Sequence, residues 1–468
     1  MAGIGFVLQK LTNKDDLLGV ARAYTHAAFA AVGPWVFTAI ALGAITLFFS
    51  NYFAVEELLN FRIIVIYNFG FSLVLAAPIF MVITRYLADA IHRQDVTQSP
   101  SILLLALILV WLLQVPVAVL FYLGYVELPL MLKLSAIANL YLISAIWLLA
   151  VFVTALKDYM AVTRAFGIGM LLGVVLAQLL KAPYGATGML NGFSIGLTWI
   201  AFSLVAKIFA EYPYTLNSTN GFRHYFSKYW ELAVTGIFYN AAIWIDKWIM
   251  WFSPEATVLP SKMRMYPDYD SAMFFAYLTI VPAMSVFMLS VETNFFVRYK
   301  QFYFDILEHK PLSRIRQNQQ AIIDSLVGSA RNFAVVQGTI CFVTIVLAAR
   351  LLAVLNINYM QIGIFRLGCL GAFFQVLMLF EYIILSYFDC RRAAMVTQAL
   401  FLGCNAIFTI ITMHMGFPYY GYGYFLACVV GFVATSVVLF NHLRKLPYHA
   451  FITNNNSLRK PFREEAVA

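Results

Sequence analysis

The chain has 468 residues, 62% of them apolar and only 11% charged, with a net charge of +9 and a mean hydropathy of +0.80. A soluble globular domain carries roughly 25% charged residues, so this composition excludes a freely soluble fold. The basic residues are dispersed between apolar runs rather than gathered in one patch, which argues against a nucleic-acid partner.

Residues 1–30 open the chain. Lys10, Asp15, Asp16 and Arg22 interrupt the apolar core that a cleavable signal needs. Leu8, Leu11, Leu18 and Ala21 recur at helical spacing instead, and predict a cytoplasmic helix lying along the membrane interface. Twelve apolar runs follow, at 31–50, 63–83, 101–123, 134–156, 162–180, 188–208, 230–252, 272–294, 333–355, 363–386, 393–414 and 419–440. A helix needs about 20 apolar residues to cross a bilayer. Only helices and closed barrels satisfy their own backbone in lipid, and these runs are continuous rather than alternating. The expectation is an all-α polytopic membrane protein with 12 transmembrane helices.

The sixth run ends in Tyr212-Pro213-Tyr214 and Asn217-Ser218-Thr219-Asn220-Gly221, a linker-like composition. The chain therefore divides into an N-lobe at 31–208, a connector at 209–229, a C-lobe at 230–440 and a basic cytoplasmic tail at 441–468. Two six-helix lobes enter the membrane the same way up, so any internal repeat is parallel. Pro78 in the second span and Pro282 in the eighth occupy corresponding helices. A proline kinks a helix and frees a carbonyl, which suits a hinge; prolines are also simply frequent in membrane helices. Within the C-lobe, 295–332 places Phe295, Tyr299, Phe302 and Ile306 on one stripe amid Arg298, Lys300, Lys310, Arg314 and Arg316. This reads as a cytoplasmic amphipathic element facing lipid or a protein partner.

With both termini cytoplasmic, 23 Lys and Arg lie inside against 6 outside, a bias that fixes the orientation. Ionisable groups within spans are costly and are candidates for function: Glu231, Asp246, Lys247, Glu292, Arg366 and Glu381, with Asp270 opening the eighth span. Adjacent residues on a helix point about 100° apart, so Asp246 and Lys247 are expected to look for separate partners. Ion pairs Lys247–Asp270 and Asp246–Arg366 would close the outer end of a central path, or merely hold helices together. Glu381 suits either a proton-coupling carboxylate or a hydrogen bond to a neighbouring helix. Tyr239, Asn240, Tyr141 and Asn68 sit mid-span, where rings stack on sugars and amides bond hydroxyls.

No G-x-x-x-x-G-K-[ST] loop is present, the histidines have no metal-ligand spacing, and Asp268-Tyr269-Asp270 matches a glycosyltransferase D-x-D too weakly to carry catalysis. No enzymatic activity, cofactor or metal is expected. Cys341, Cys369, Cys390, Cys404 and Cys428 read as packing residues.

Several stretches resemble one family. Met1-Ala2-Gly3-Ile4-Gly5-Phe6 with Lys10-Leu11, Gly33-Pro34-Trp35, Trp244-Ile245-Asp246-Lys247, Tyr269-Asp270 with Ala276-Tyr277-Leu278-Thr279, Glu292-Thr293 with Phe295-Phe296, and Tyr387-Phe388-Asp389 with Arg391-Arg392 are similar to PelG, the family of integral membrane subunits of Pel exopolysaccharide export. The likeness runs from residue 1 to at least residue 392. It implies a member of the multidrug/oligosaccharidyl-lipid/polysaccharide flippase superfamily, MATE-like, with two six-helix lobes around a central cavity. It further implies an inner-membrane transporter of an N-acetylhexosamine-rich polymer in biofilm formation. The implied partners are a cytoplasmic glycosyltransferase and a cyclic di-GMP receptor. Two rivals stay open: a lipid-linked oligosaccharide flippase or cation-coupled small-molecule antiporter of the same superfamily, and a non-transporting scaffold for a glycosyltransferase. The family supplies no transport residues to carry over.

Overall fold

The computed structural model describes residues 33–46, 55–156, 158–216, 219, 222–284, 295–354 and 358–453. The expected interfacial helix within 1–30, and Glu292, lie outside the described residues. Among the described residues, eight helices are long and apolar enough to cross a membrane. The shorter apolar helix α1 (Gly33–Thr46) begins the first lobe. After it come α2 (Val55–His92), α3 (Ser99–Tyr125), α4 (Leu130–Ala155) and α5 (Tyr159–Glu211). Chain direction in α3 survives Pro116, and the backbone widens to π-helical from Val117 to Tyr125.

α5 is two passes rather than one. Its 53 residues fold back at Gly185, whose φ of 55° and ψ of −136° lie outside the helical region; only glycine adopts such a conformation readily. The arms then run antiparallel at close range. A Cβ on Gly196 would lie 2.7 Å from the Gly173 backbone, and one on Gly192 would meet the backbone of Leu176 and Ala177. Glu57, at the start of α2, accepts a hydrogen bond from the Ala186 amide that opens the second arm, where a carboxylate complements the positive end of a helix. With both arms counted, the described residues of the first lobe make six passes.

The second lobe comprises α7 (Trp230–Met250), a two-stranded hairpin of β1 (Thr257–Val258) and β2 (Arg264–Met265), α8 (Pro267–Leu278), α9 (Phe296–Leu307), α10 (Leu312–Val346), α11 (Ala348–Val354), α12 (Ile362–Tyr387), α13 (Arg391–Met415) and α14 (Tyr422–Arg444). A short helix α6 (Phe222–Lys228) lies in the connector between the lobes. α7, α8, α10, α12, α13 and α14 supply six further passes. The apolar face of 295–332 does not form a single separate element. α9 carries its first stripe, while Ile315, Ile322 and Leu326 belong to α10, which runs on through Phe333 to Val346 as one helix. Its buried residues keep helical spacing across the expected boundary at 332, so nothing in the sequence stops the helix there.

α7 packs against α13, α13 against α14, and α12 against α14, α8 and α10. In the first lobe α4 packs on α5, and α2 on α4. The two lobes meet where α2 lies antiparallel along α7. Glycines permit the approach: a Cβ on Gly70 would sit 3.2 Å from the Trp244 ring, and one on Gly236 would sit 2.7 Å from Met81. A second contact joins α1 to α8, where the rings of Trp35 and Phe274 lie 5.8 Å apart.

Candidate functional site: the interlobe seam and the polar cores beside it

Each end of the α2/α7 seam is tied by polar contacts from loops. At one end the β1–β2 hairpin reaches from the second lobe onto the first. The Tyr67 hydroxyl donates to the Arg264 carbonyl at 2.8 Å and accepts from the Arg264 amide at 3.2 Å. The Glu127 amide donates to the Ser261 carbonyl at 3.1 Å, and Lys262 pairs with Glu127 at 2.6 Å. Tyr67 also stacks on Trp251 at 4.4 Å and on Phe121 at 5.3 Å. At the other end the connector closes the seam. Tyr225 and Tyr229 both donate to Asp89, Arg85 bridges Asp89 at 3.2 Å and Asp389 at 3.6 Å, and Arg391 and Arg392 each lie 3.6 Å from Glu231. Glu231 is buried at this end.

Between these ends the second lobe holds a buried charged cluster. Asp246 is fully buried. Contrary to expectation, its partner is its own neighbour: the Lys247 ammonium lies 3.1 Å and 3.2 Å from the two Asp246 oxygens. A long helical side chain leans back toward the N-terminus. Lys247 follows that direction, reaches the Ile243 carbonyl one turn earlier at 2.9 Å, and so passes beside Asp246 despite the 100° between them. The ammonium also meets the Tyr277 hydroxyl at 3.2 Å, and Tyr269 donates to Asp246 at 3.0 Å. An ammonium has three protons, and these contacts use them. The pair is therefore internally neutral and saturated.

The two ion pairs expected across the outer end give way to other contacts. Asp270 accepts from the Trp251 indole at 2.9 Å and forms no ion pair with Lys247 among the described residues. Arg366 is exposed and donates to the Ile345 carbonyl at 3.3 Å, so it faces away from Asp246. Ser436 on α14 donates to one Glu381 oxygen, while the other has no hydrogen-bond partner among the described residues. The Tyr239 ring stacks on Tyr382 at 5.7 Å and 8°. Asn240 turns back to its own helix and donates to the Gly236 carbonyl.

The first lobe has a polar core of another kind. Asn68 donates to the Ala136 carbonyl and to the Asn139 side chain, both at 2.9 Å. Tyr122 donates to Asn68, and Asn139 donates to Ser194 at 2.9 Å. Every participant is neutral, and four passes are tied together. Sequence reasoning picked out Asn68 alone from this set. It also missed Gln114, Gln337 and Gln398, which are fully buried with neither amide atom hydrogen-bonded among the described residues; a lone glutamine inside each apolar run was the available signal.

The family profile described as "PelG: Putative exopolysaccharide Exporter (EPS-E)" matches residues 1–451. The chain belongs to the PelG family. No curated protein matches it. Among solved structures, an outward-facing multidrug resistance MATE transporter of the MOP superfamily is similar with a TM-score of 0.67, at 10% identity, covering 94% of this chain and 98% of that one. A MOP superfamily transporter from Pyrococcus furiosus with a reverse polarity of its binding pocket has a TM-score of 0.62 at 11% identity over 90% and 96% of the two chains. A MATE in a bent conformation gives 0.62 at 12% identity over 91% and 96%. This PelG-family chain thus has the MOP transporter fold and is a multi-pass membrane transporter, with two six-helix lobes as the span count predicts.

Proposed function

We propose that this chain moves an N-acetylhexosamine-rich exopolysaccharide, Pel, across the bacterial inner membrane. In this reading it is the transport subunit of a biofilm synthase, served by a cytoplasmic glycosyltransferase and a membrane partner that responds to cyclic di-GMP. It has no enzymatic activity of its own. The family match over residues 1–451 carries the reading. The bias of Lys and Arg orients the connector end to the cytoplasm, where the polymer is made, and the β1–β2 hairpin to the outside. The neutral first-lobe core and the aromatic seam of Tyr67, Phe121 and Trp251 suit a hydroxyl-rich, uncharged chain. The saturated Asp246–Lys247 pair offers no free carboxylate there for a cation, which disfavours antiport at that position.

The test is deletion of the gene in the producing bacterium, with the glycosyltransferase left intact. Polymer is expected to vanish from the medium and return on complementation. Undiminished export from the deletion strain would overturn the reading. Reconstituted vesicles that move lipid-linked oligosaccharide with no polymerisation would select the flippase alternative instead, and polymerisation lost together with export would select the scaffold.

A further inference from the structure

At the connector end, beside the seam, a cavity of about 280 Å³ opens between the last turns of α2, the turn at 93–98, the first turns of α3 and helix α6. We propose that this cavity is a subsite for a single hexopyranose unit. The inference rests on the export reading given above, and places the unit where a chain would enter the transporter. The volume lies just below the usual range for small-molecule pockets, enough for one sugar ring and too little for an oligosaccharide.

The walls have the chemistry that a pyranose requires. Tyr86 and Tyr225 meet edge to face, 5.4 Å apart at 83°, and Phe222 adds a third aromatic surface. Aromatic rings of this kind accept the C–H face of a sugar. Asp89 is held in place by Arg85 and by the hydroxyls of Tyr225 and Tyr229. Asp95 has one oxygen occupied by the Thr97 hydroxyl at 2.6 Å and the Thr97 amide at 3.3 Å, and its other oxygen takes no hydrogen bond among the described residues. The Thr97 hydroxyl bond holds the Asp95 carboxyl below the usual carboxylate range, so it is a charged acceptor at neutral pH. Arg93 and Gln98 line the same cavity, and neither side chain makes a hydrogen bond among the described residues. Donors and acceptors therefore converge on a space bounded by rings.

Other ligand classes fit less well. With Asp89 paired to Arg85, one guanidinium, Arg93, faces the Asp95 carboxylate, and no surplus of cations is left for a phosphate or a nucleotide, whose recognition calls for clustered cations. A bare metal ion finds aromatic walls and no third carboxylate. A neutral, hydroxyl-rich ring satisfies all of the groups at once: its hydroxyls donate to Asp95 and accept from Arg93 and Gln98.

The experiment uses the full chain in lipid nanodiscs and saturation-transfer NMR with N-acetylglucosamine and its β-linked trimer as probes. The trimer is expected to receive saturation mainly at one pyranose unit. Asp95→Asn and Gln98→Ala, both at the surface turn and outside the packed core, are each expected to weaken binding roughly threefold to tenfold. A trimer affinity unchanged in both variants overturns the subsite and leaves the export reading standing, since deletion of the gene tests that separately. Absence of saturation transfer to either sugar also overturns it, as does displacement of the trimer by a nucleoside diphosphate at lower concentration than by N-acetylglucosamine. Conversely, binding that depends on Asp95 in a chain whose deletion leaves export intact would remove the export reading and keep the sugar site.

Discussion

In the first lobe Asn68, Tyr122, Asn139 and Ser194 form a chain of neutral hydrogen bonds, whereas in the second lobe Asp246 and Lys247 form a buried ion pair braced by Tyr269 and Tyr277. Both cores lie inside a membrane-type bundle, and both leave few polar atoms without a partner. The means differ in stakes. A lost neutral hydrogen bond strands an amide, while a lost member of an ion pair strands a full charge. The two lobes are alike in number of passes, but the second is the one whose interior holds a buried ion pair.

The comparison can be broken most strongly at Asp246. Asp246→Ala leaves the Lys247 ammonium buried without its counter-ion, at an expected cost of about 3–5 kcal/mol, read as a large fall in melting temperature in detergent. The double variant Asp246→Leu with Lys247→Met is expected to recover most of that loss; no recovery would mean that the damage is not electrostatic. Asn139→Leu probes the neutral core. It strands Asn68 and Ser194 and is expected to cost about 1–3 kcal/mol, so it should melt between wild type and Asp246→Ala. A fall as large as that of Asp246→Ala would erase the distinction between the lobes. Tyr67→Phe is the mildest change. It removes the hydroxyl that both donates to and accepts from Arg264, at about 0.5–1.5 kcal/mol. Amide exchange in the 257–265 hairpin should quicken roughly threefold to tenfold, with melting almost unmoved.

Span number and the two-lobe architecture were legible because a lipid-exposed helix advertises itself by length and apolarity; of the charges expected within spans, Glu231, Asp246, Lys247 and Glu381 are buried, whereas Arg366 is exposed. α1, α7 and α8 illustrate the margin: α7 carries Glu231, Asp246 and Lys247 and is not among the eight helices long and apolar enough to cross a membrane, yet its place between apolar runs identified it. Partner choice was not legible. Lys247 turns back on Asp246 through a side-chain direction that spacing alone does not encode, and Arg366 turns outward to a neighbouring helix. The fold at Gly185 could be placed only as a break between the fifth and sixth spans; that the two arms form a glycine-lined hairpin depends on Gly169, Gly173, Gly192 and Gly196 facing one another across it. The first-lobe network was hidden because asparagine, serine and tyrosine are common in membrane helices, and only three dimensions bring these four together.

The ion pair on α7 has a mechanical corollary. Its two charges are neighbours in sequence on one rigid helix, so any rocking of the second lobe carries them together through the membrane field. A displaced elementary charge does work of about 2.3 kcal/mol per 100 mV, but a plus and a minus moving in step do none. A lobe that rocked with these two buried ions aboard would remain, at that position, electrically silent to the voltage across the bilayer.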